Sequence, residues 1–358
     1  METIIERAKE WTTEDFDVET RKAVAEMIEK QGEELNDAFY RDLEFGTGGL
    51  RGIMGPGTNR MNSYTVSMAT QGLANYLKKC FPGQSLSAAI AYDSRNNSKL
   101  FATKAAEVLS ANDITVYIFD DIRPTPELSF AIRELKCNTG IVITASHNPK
   151  EYNGYKAYWD DGAQIIAPHD IAIIDEVTKI TSIKEVNTVK KPELINIIGK
   201  KKKKKYLNRV LGLSLNKEIN EKYKDIPIVY TPLHGTGIML VPQALNMYGF
   251  TNIHKVESQC VPDGNFPTVV SPNPEESSSF ELAVKLAKEV DAKLVLATDP
   301  DADRIGLAVK DNNGEFILLN GNQTAAILFY YLIKNRKSSQ LPYYIVKTIV
   351  TSDILSDI

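Results

Sequence analysis

Hydrophobic residues follow two spacings along the chain, and these predict a helical start followed by alternating strands and helices. In residues 1–42 the spacing is helical, with apolar positions at Val24, Met27, Ile28, Leu35 and Phe39. Farther along, the strand-like runs are 87–92, 115–119 and 140–144, and the helix-like segments are 65–79, 99–111 and 126–135. Such alternation predicts an α/β fold with a largely parallel sheet covered by helices on both faces.

A second unit with the same alternation follows a polar stretch near residue 190. Its strand-like runs are 226–230 and 293–297, with a helix-like segment at 277–290. A helix at 325–334 and a strand at 343–350 come last, and one helix and one strand cannot close a domain core. The predicted divisions are a helical segment 1–42, a first domain 43–192, a second domain 193–315 and an incomplete third domain 316–358.

Composition narrows the class of protein. The 358 residues are 43% hydrophobic with a net charge of −4, which favours a globular chain and calls for neither nucleic acid nor a membrane as partner. Three widely separated cysteines and the lack of a long apolar run predict a cytoplasmic protein. The run of six lysines at 200–205 is expected to form a solvated linker or a helix start.

A serine stands directly after the apolar run 140–144, in the segment Thr-Ala-Ser-His-Asn-Pro. A serine where a strand ends can be exposed and strained into a reactive pose, and Asn-Pro and Asn-Gly nearby predict turns. Because a serine hydroxyl is a poor nucleophile near neutral pH, it needs a base, a metal or a cation. His147 and Lys156 are the candidates to handle the proton of Ser146.

Three aspartates at alternate positions, Asp299, Asp301 and Asp303, follow the apolar run 293–297. Alternate residues of an extended backbone point the same way, so these carboxylates repel one another unless a cation holds them. Oxygen ligands suit Mg²⁺ or Ca²⁺. Arg304 and a strand-like run at 305–309 follow where a calcium-binding EF-hand would need a glycine and a distant glutamate.

The glycine-rich segment 45–52 reads Phe-Gly-Thr-Gly-Gly-Leu-Arg-Gly. Glycines allow a ligand to approach the backbone closely, and Arg51 can offer a two-pronged guanidinium to a phosphate. A plain turn is the alternative interpretation.

Together these segments resemble the α-D-phosphohexomutases. That family has a phosphoserine loop Thr-Ala-Ser-His-Asn-Pro continuing to Asn-Gly-Tyr/Phe-Lys, which residues 144–156 match, and a metal loop Asp-x-Asp-x-Asp-Arg, which residues 299–304 match. The family's opening Phe-Gly-Thr-x-Gly-Leu-Arg-Gly is matched at 45–52. Similar segments occur at 93–95, 123–126 and 232–237. Residues 158–170 are most similar to the branch with phosphoglucomutase 2, phosphopentomutase and related bacterial enzymes.

The resemblance implies tandem α/β domains with mixed, mostly parallel sheets, four in the family, of which the fourth is expected to be absent here. It implies that Ser146 carries the phosphoryl group and that Mg²⁺ is held by a phosphoserine oxygen of Ser146 together with Asp299, Asp301 and Asp303. The implied catalytic residues are Ser146, His147, Lys156 and Arg51, and the implied substrate-binding residues are Arg304, Thr47, Gly48 and His234.

The activity implied by the resemblance is the interconversion of hexose 1-phosphate and hexose 6-phosphate, for glucose, mannose or both, through a bisphosphorylated sugar. Glucose 1,6-bisphosphate or an equivalent is the expected activator, and a phosphorylated hexose is the expected partner. The alternatives are a phosphopentomutase, a phosphoserine hydrolase and a non-catalytic phosphosugar-binding remnant. The resemblance leaves the preferred sugar and the oligomeric state open.

Overall fold

The computed structural model describes residues 2–46, 49–335 and 344–358. The chain divides into two compact units. Unit 1 consists of residues 1–202 with 263–265, and unit 2 consists of residues 203–262 and 266–358. None of the helices in the described ranges combines the length and the apolar character of a membrane span.

Unit 1 begins with three short helices, α1 (Glu2–Glu10), α2 (Val18–Lys30) and α3 (Glu33–Phe39). They form a small core of their own, and the apolar positions of the predicted helical segment lie in it or against it. Its buried members are Ala8, Trp11, Val24, Met27, Leu35, Ala38 and Phe39. The helical prediction for the start of the chain is confirmed.

The rest of unit 1 is built on a six-stranded sheet in the order β1-β5-β4-β2-β3-β6. Its strands are β1 (Gly49–Ile53), β2 (Leu86–Tyr92), β3 (Ile114–Phe119), β4 (Thr139–Ile143), β5 (Tyr152–Trp159) and β6 (Ile195–Ile198). Its helices are α4 (Ser63–Cys80), α5 (Ser98–Ala111), α6 (Thr125–Leu135) and α7 (His169–Thr178). Strands β2, β3, β4 and β6 are parallel, whereas β5 runs antiparallel to both β4 and β1.

Both faces of this sheet are buried at its central strands. Ala89 and Ala91 of β2 pack in a cluster with Leu128 of α6, and the alternate residues Ala88 and Ile90, which point to the opposite face, are also fully buried. A strand buried on both sides reads as a continuous apolar run, which is why β2 and β4 were recognisable from the sequence.

Unit 2 contains a five-stranded sheet in the order β11-β10-β9-β7-β8. The strands are β7 (Ile228–Thr231), β8 (Ile253–Lys255), β9 (Leu294–Thr298), β10 (Ile305–Lys310) and β11 (Phe316–Leu319). The helices are α8 (Lys200–Leu211), which begins in unit 1, and α9 (Lys217–Lys222), α10 (Val241–Met247), α11 (Glu281–Glu289), α12 (Gly321–Lys334) and α13 (Ile354–Asp357). Strands β7, β8 and β9 are parallel and β10 is antiparallel to its neighbours, so the mixed α/β class is confirmed in both units.

Two local predictions need correction. The strand expected at 343–350 does not form in its described part, because residues 344–350 pair with no other strand and are mostly exposed. The Asn-Gly pair at 153–154 makes no turn, since both residues lie inside β5. The lysine run 200–205 starts α8, which agrees with the expected helix start.

Candidate active site

The serine loop begins where β4 ends. Ser146 adopts a left-handed backbone conformation with φ of 53°, which is uncommon for a residue other than glycine, and its side chain is 4% exposed. Its backbone N–H donates to Thr144 Oγ1 at 2.8 Å, and its Oγ lies 3.1 Å from His147 Nδ1. The strained backbone and the partner for the hydroxyl fit the predicted nucleophile, whereas the expected exposure of this serine is wrong, because the residue is buried.

Strand β5 brings the second half of the serine motif back beside the first half. Lys156 of β5 pairs with Val142 on one side and with Gly49 on the other, and it is 9% exposed. Gly154 lies where two backbones converge, because a Cβ at this position would come within 2.5 Å of Thr144 O and 2.9 Å of Leu50 O. A glycine is therefore required for close packing rather than for a turn.

The glycine-rich segment contributes Arg51, which lies on β1. Its Nη1 donates to Asn148 Oδ1 at 3.0 Å, so the arginine predicted for phosphate binding reaches the serine loop. Arg51 is exposed, which leaves its guanidinium accessible to a ligand. The predicted substrate-binding residues Thr47 and Gly48 lie outside the described residues.

Arg95, for which the sequence predicted no role, supports the serine loop through hydrogen bonds to its backbone. Its guanidinium is buried and donates to the carbonyl oxygens of Ser146, Asn148, Pro149 and Tyr152. The only signal in the sequence was the segment Asp-Ser-Arg directly after β2, which was noted as similar to the family without a role.

Asp93 is the ionic partner of Arg95. Arg95 Nε lies 3.5 Å from Asp93 Oδ2, and the backbone N–H of Arg95 donates to Asp93 Oδ1 at 2.9 Å. Complete burial raises the pKa of the Asp93 carboxyl, while the charge of Arg95 acts in the opposite direction.

In unit 2 the three predicted aspartates converge in the loop between β9 and β10. One carboxylate oxygen from each of Asp299, Asp301 and Asp303 lies within 4.8 Å of the others, with the first two residues buried and the third exposed. Ala302 turns the loop with φ of 52°, and its N–H donates to Asp299 O at 3.0 Å. Clustered, partly buried carboxylates repel one another, and their oxygens suit a hard divalent cation.

Arg304 follows the acidic loop, as the motif requires. Its backbone N–H donates to Asp299 Oδ1 at 3.0 Å, and its Nη1 donates to Glu275 Oε1 at 2.8 Å. The ion pair is exposed, so its contribution to stability is small.

The segment 232–237 supports the acidic loop through close backbone contact. Thr236 donates to Pro300 O from its N–H at 2.8 Å and from its Oγ1 at 2.9 Å. A Cβ on Gly235 would lie 2.4 Å from Pro300 Cα, so only glycine fits there without displacement. The similarity of residues 232–237 to the family gave no sign of this contact with the acidic loop.

His234, predicted to bind substrate, is buried in unit 2. Its Nδ1 lies 2.9 Å from Val261 O and its Nε2 lies 2.9 Å from Thr268 Oγ1. These contacts occupy both ring nitrogens, and its substrate-binding role stays a prediction.

Comparison with protein families gives two matches in chain order. Residues 42–184 match the model described as phosphoglucomutase/phosphomannomutase, alpha/beta/alpha domain I, and residues 204–314 match that of domain II. Together the two matches cover more than half of the chain and include both loops. The chain belongs to the phosphoglucomutase/phosphomannomutase family. Its predicted membership is therefore confirmed.

Curated members of this family align over most of the chain. A phosphoglucomutase of Staphylococcus epidermidis is 38% identical over 324 residues, which are 89% of this chain and 58% of that protein. A phosphoglucomutase of Staphylococcus aureus is 38% identical over 346 residues, which are 92% of this chain and 59% of that protein. The chain thus spans under two thirds of the length of these relatives.

Solved structures of the family share the fold. A putative phosphomannomutase from Thermus thermophilus superposes with a TM-score of 0.70 at 22% identity, covering 82% of this chain and 62% of that one. A phosphoglucomutase/phosphomannomutase family protein from Burkholderia thailandensis superposes with a TM-score of 0.64 at 22% identity, covering 81% and 59%.

Proposed function

We propose that this chain carries the phosphoserine and metal-binding parts of a phosphosugar mutase that interconverts hexose 1-phosphate and hexose 6-phosphate, with glucose or mannose as the sugar. The observation that carries the proposal is Ser146, held in a left-handed conformation after a buried strand with its Oγ 3.1 Å from His147 Nδ1. Relatives named phosphoglucomutase that are 38% identical support the choice of substrate class.

The proposed cycle has two transfers of a phosphoryl group. Phosphorylated Ser146 donates its group to the free hydroxyl of a sugar monophosphate: the Oγ–P bond breaks, a bond from the sugar oxygen to phosphorus forms, and the hydroxyl proton moves to the seryl oxygen. The resulting bisphosphate turns and returns its other phosphoryl group to Ser146. This second transfer breaks the other sugar O–P bond, and the seryl proton passes to the released sugar oxygen.

The proton transfers need a group beside the seryl oxygen. His147 is supported by its contact with Ser146 Oγ, since a general base must lie within hydrogen-bond reach of the proton it takes. Lys156, held on β5 between β1 and β4, is the alternative. Replacing each in turn and measuring the pH dependence of phosphoryl transfer distinguishes them.

Mg²⁺ is the cation we propose for the acidic loop, and the residues fit it. The loop offers three carboxylates with oxygens within 4.8 Å of one another, and Mg²⁺ is commonly bound by a few carboxylates plus phosphate oxygens. We propose an oxygen of phosphorylated Ser146 as a further ligand. When bound, the cation would supply charge neutralisation for the transferred phosphoryl group.

We propose that the substrate is bound by Arg304, Thr47, Gly48 and His234, and that Arg51 is a catalytic residue that adds positive charge beside the serine loop. Arg51 is exposed beside the serine loop, which supports a direct contact with a ligand anion.

We also propose a cytoplasmic location, supported by three cysteines that form no disulfide. Burial raises the pKa of Cys137 and of Cys260 to about 11, so neither thiol is reactive near neutral pH.

The test is the intact mass of the chain before and after incubation with glucose 1,6-bisphosphate and Mg²⁺. We expect one added phosphoryl group on the wild-type chain and none on Ser146→Ala. Steady release of inorganic phosphate without an isomerised sugar would favour the hydrolase. A wild-type chain that never carries a phosphoryl group would overturn the proposal in favour of a binding remnant.

A further inference from the structure

We propose that Arg95 is a positioning residue for phosphoryl transfer, which acts by fixing the backbone of the serine loop. This inference rests on the proposed function. Arg95 Nη2 donates to Ser146 O at 2.7 Å and also to Asn148 O, and Nη1 donates to Pro149 O at 2.8 Å and to Tyr152 O at 3.0 Å. One guanidinium thus binds four carbonyl oxygens of the segment that carries the nucleophile.

The segment that bears Arg95 is itself fixed by buried contacts. Asp93 Oδ1 accepts the N–H of Arg95 at 2.9 Å and the hydroxyl of Ser98 at 2.6 Å. Asn153 Nδ2 donates to Asn96 O and to Ser98 Oγ, each at 2.9 Å. Residues 93–98 therefore contact the serine loop at both of its ends, and we call them the loop clamp.

The backbone of Ser146 explains why such a clamp is needed. A residue other than glycine in the left-handed region is strained, and it persists there only when its surroundings impose that conformation. Hydrogen bonds from a charged donor are about twice as strong as neutral ones, and here they hold the carbonyl of Ser146 itself. Because this carbonyl belongs to the peptide plane that follows Ser146, holding it restricts ψ of Ser146 and with it the orientation of the Cα–Cβ bond that carries the seryl Oγ.

Lysine cannot replace Arg95 in this role. The planar guanidinium of arginine carries N–H donors on separate nitrogens, so it can reach several carbonyl oxygens at once. The ammonium of lysine is a single compact charge at the end of a flexible side chain. Arg95→Lys preserves the buried charge beside Asp93 but cannot span the carbonyls of Ser146 and Tyr152 together. It therefore separates the geometry of the clamp from its charge.

The experiment compares Arg95→Lys with Arg60→Lys, a matched substitution elsewhere in unit 1. Arg60 is also buried, pairs with Asp37 at 2.6 Å and donates to the carbonyl oxygens of Asp37 and Asn59, away from the serine loop. We measure the rate of phosphoryl uptake by Ser146 from glucose 1,6-bisphosphate at several concentrations. Arg95→Lys should lower the maximal rate on the order of 100-fold, as expected for a misplaced nucleophile, with half-saturation nearly unchanged.

A second measurement, amide hydrogen exchange, tests the clamp without relying on chemistry. Arg95→Lys should speed exchange at residues 145–153, whereas Arg60→Lys should leave that segment as in the wild-type chain. The positioning role alone is overturned if Arg95→Lys takes up the phosphoryl group as fast as Arg60→Lys does. It is also overturned if amide exchange at residues 145–153 is unchanged in Arg95→Lys. A wild-type chain that takes up no phosphoryl group overturns the proposed function and the positioning role together.

Discussion

The serine loop of unit 1 and the acidic loop of unit 2 are built in the same way but supported by different chemistry. Each follows a buried strand, β4 or β9, and each contains a non-glycine residue in the left-handed region, Ser146 at 53° and Ala302 at 52°. Each is contacted by the segment that follows the neighbouring parallel strand, β2 or β7. The carboxyl edge of a parallel sheet therefore carries the predicted chemistry in both units.

The supports differ in charge. Arg95 brings a buried cation under the serine loop, whereas Thr236 and Gly235 support the acidic loop with a hydroxyl, an N–H and close backbone packing. A fixed cation beneath three carboxylates would stabilise them without a metal and so weaken binding of a divalent ion. Under the serine loop the charge of Arg95 is paired with the buried carboxylate of Asp93. The comparison therefore shows two kinds of support: a buried ion pair holds the serine loop, and neutral hydrogen bonds with close packing hold the acidic loop.

Among changes to the acidic loop, the largest expected effect comes from Asp301→Asn, which removes one carboxylate. The affinity for Mg²⁺ measured by calorimetry should fall at least about tenfold, because ligand charge determines affinity at such sites. Asp291→Asn, an exposed carboxylate paired with Lys293 and Lys310, is the control and should bind Mg²⁺ like the wild-type chain. Equal affinities for the two variants would mean that the acidic loop is not the metal site.

Gly154→Ala tests the packing of the serine loop. The added Cβ would meet Thr144 O at 2.5 Å, and the two backbones are hydrogen-bonded through Thr144 N–H and Gly154 O, so we expect a loss of about 1–3 kcal/mol in the free energy of unfolding measured with urea. Gly46→Ala is the matched control, since its Cβ would lie 3.9 Å from the nearest atom, Gly49 O. If both variants unfold at the same urea concentration, the close approach at Gly154 is not required.

Thr236→Val tests the neutral support of the acidic loop. The substitution keeps the shape and the N–H bond to Pro300 but removes the hydroxyl bond of 2.9 Å, so stability should fall by about 1 kcal/mol. The Mg²⁺ affinity should fall by a smaller factor than in Asp301→Asn. Thr236→Ser retains the hydroxyl and should restore both values, and failure to do so would assign the effect to packing.

The smallest expected effect is that of Glu275→Gln, which releases Arg304 from its ion pair. Stability should change by less than about 1 kcal/mol, because both side chains are exposed. The affinity for a hexose phosphate should rise slightly, since the guanidinium no longer has a competing carboxylate. Glu257→Gln, which breaks the exposed pair with Lys255, is the control. A decrease in affinity would show that Glu275 aids Arg304 instead of competing with it.

Part of the fold and of both loops could be predicted because the signals are local. Residues buried on both faces of a sheet form continuous apolar runs, so β2, β4 and β9 were found from hydrophobicity alone. Strand β5 was missed because polar residues and an Asn-Gly pair interrupt it, and the sheet contacts that make it a strand are distant in sequence. Over the described residues 344–350 the expected strand does not form for the converse reason, since strand propensity forms no strand without a partner.

The amino-acid sequence by itself determined the α/β class and the family, and it supplied the candidate reactive groups, because period, residue type and spacing are properties of neighbouring residues. Only the tertiary structure decided that Gly154 is needed for close packing, that Arg95 holds four carbonyls of the serine loop and that Thr236 supports Pro300. Arg95 and Ser146 are 51 residues apart in the chain, and Thr236 and Pro300 are 64 residues apart. No local pattern specifies such pairs, because their geometry exists only after the strands have aligned.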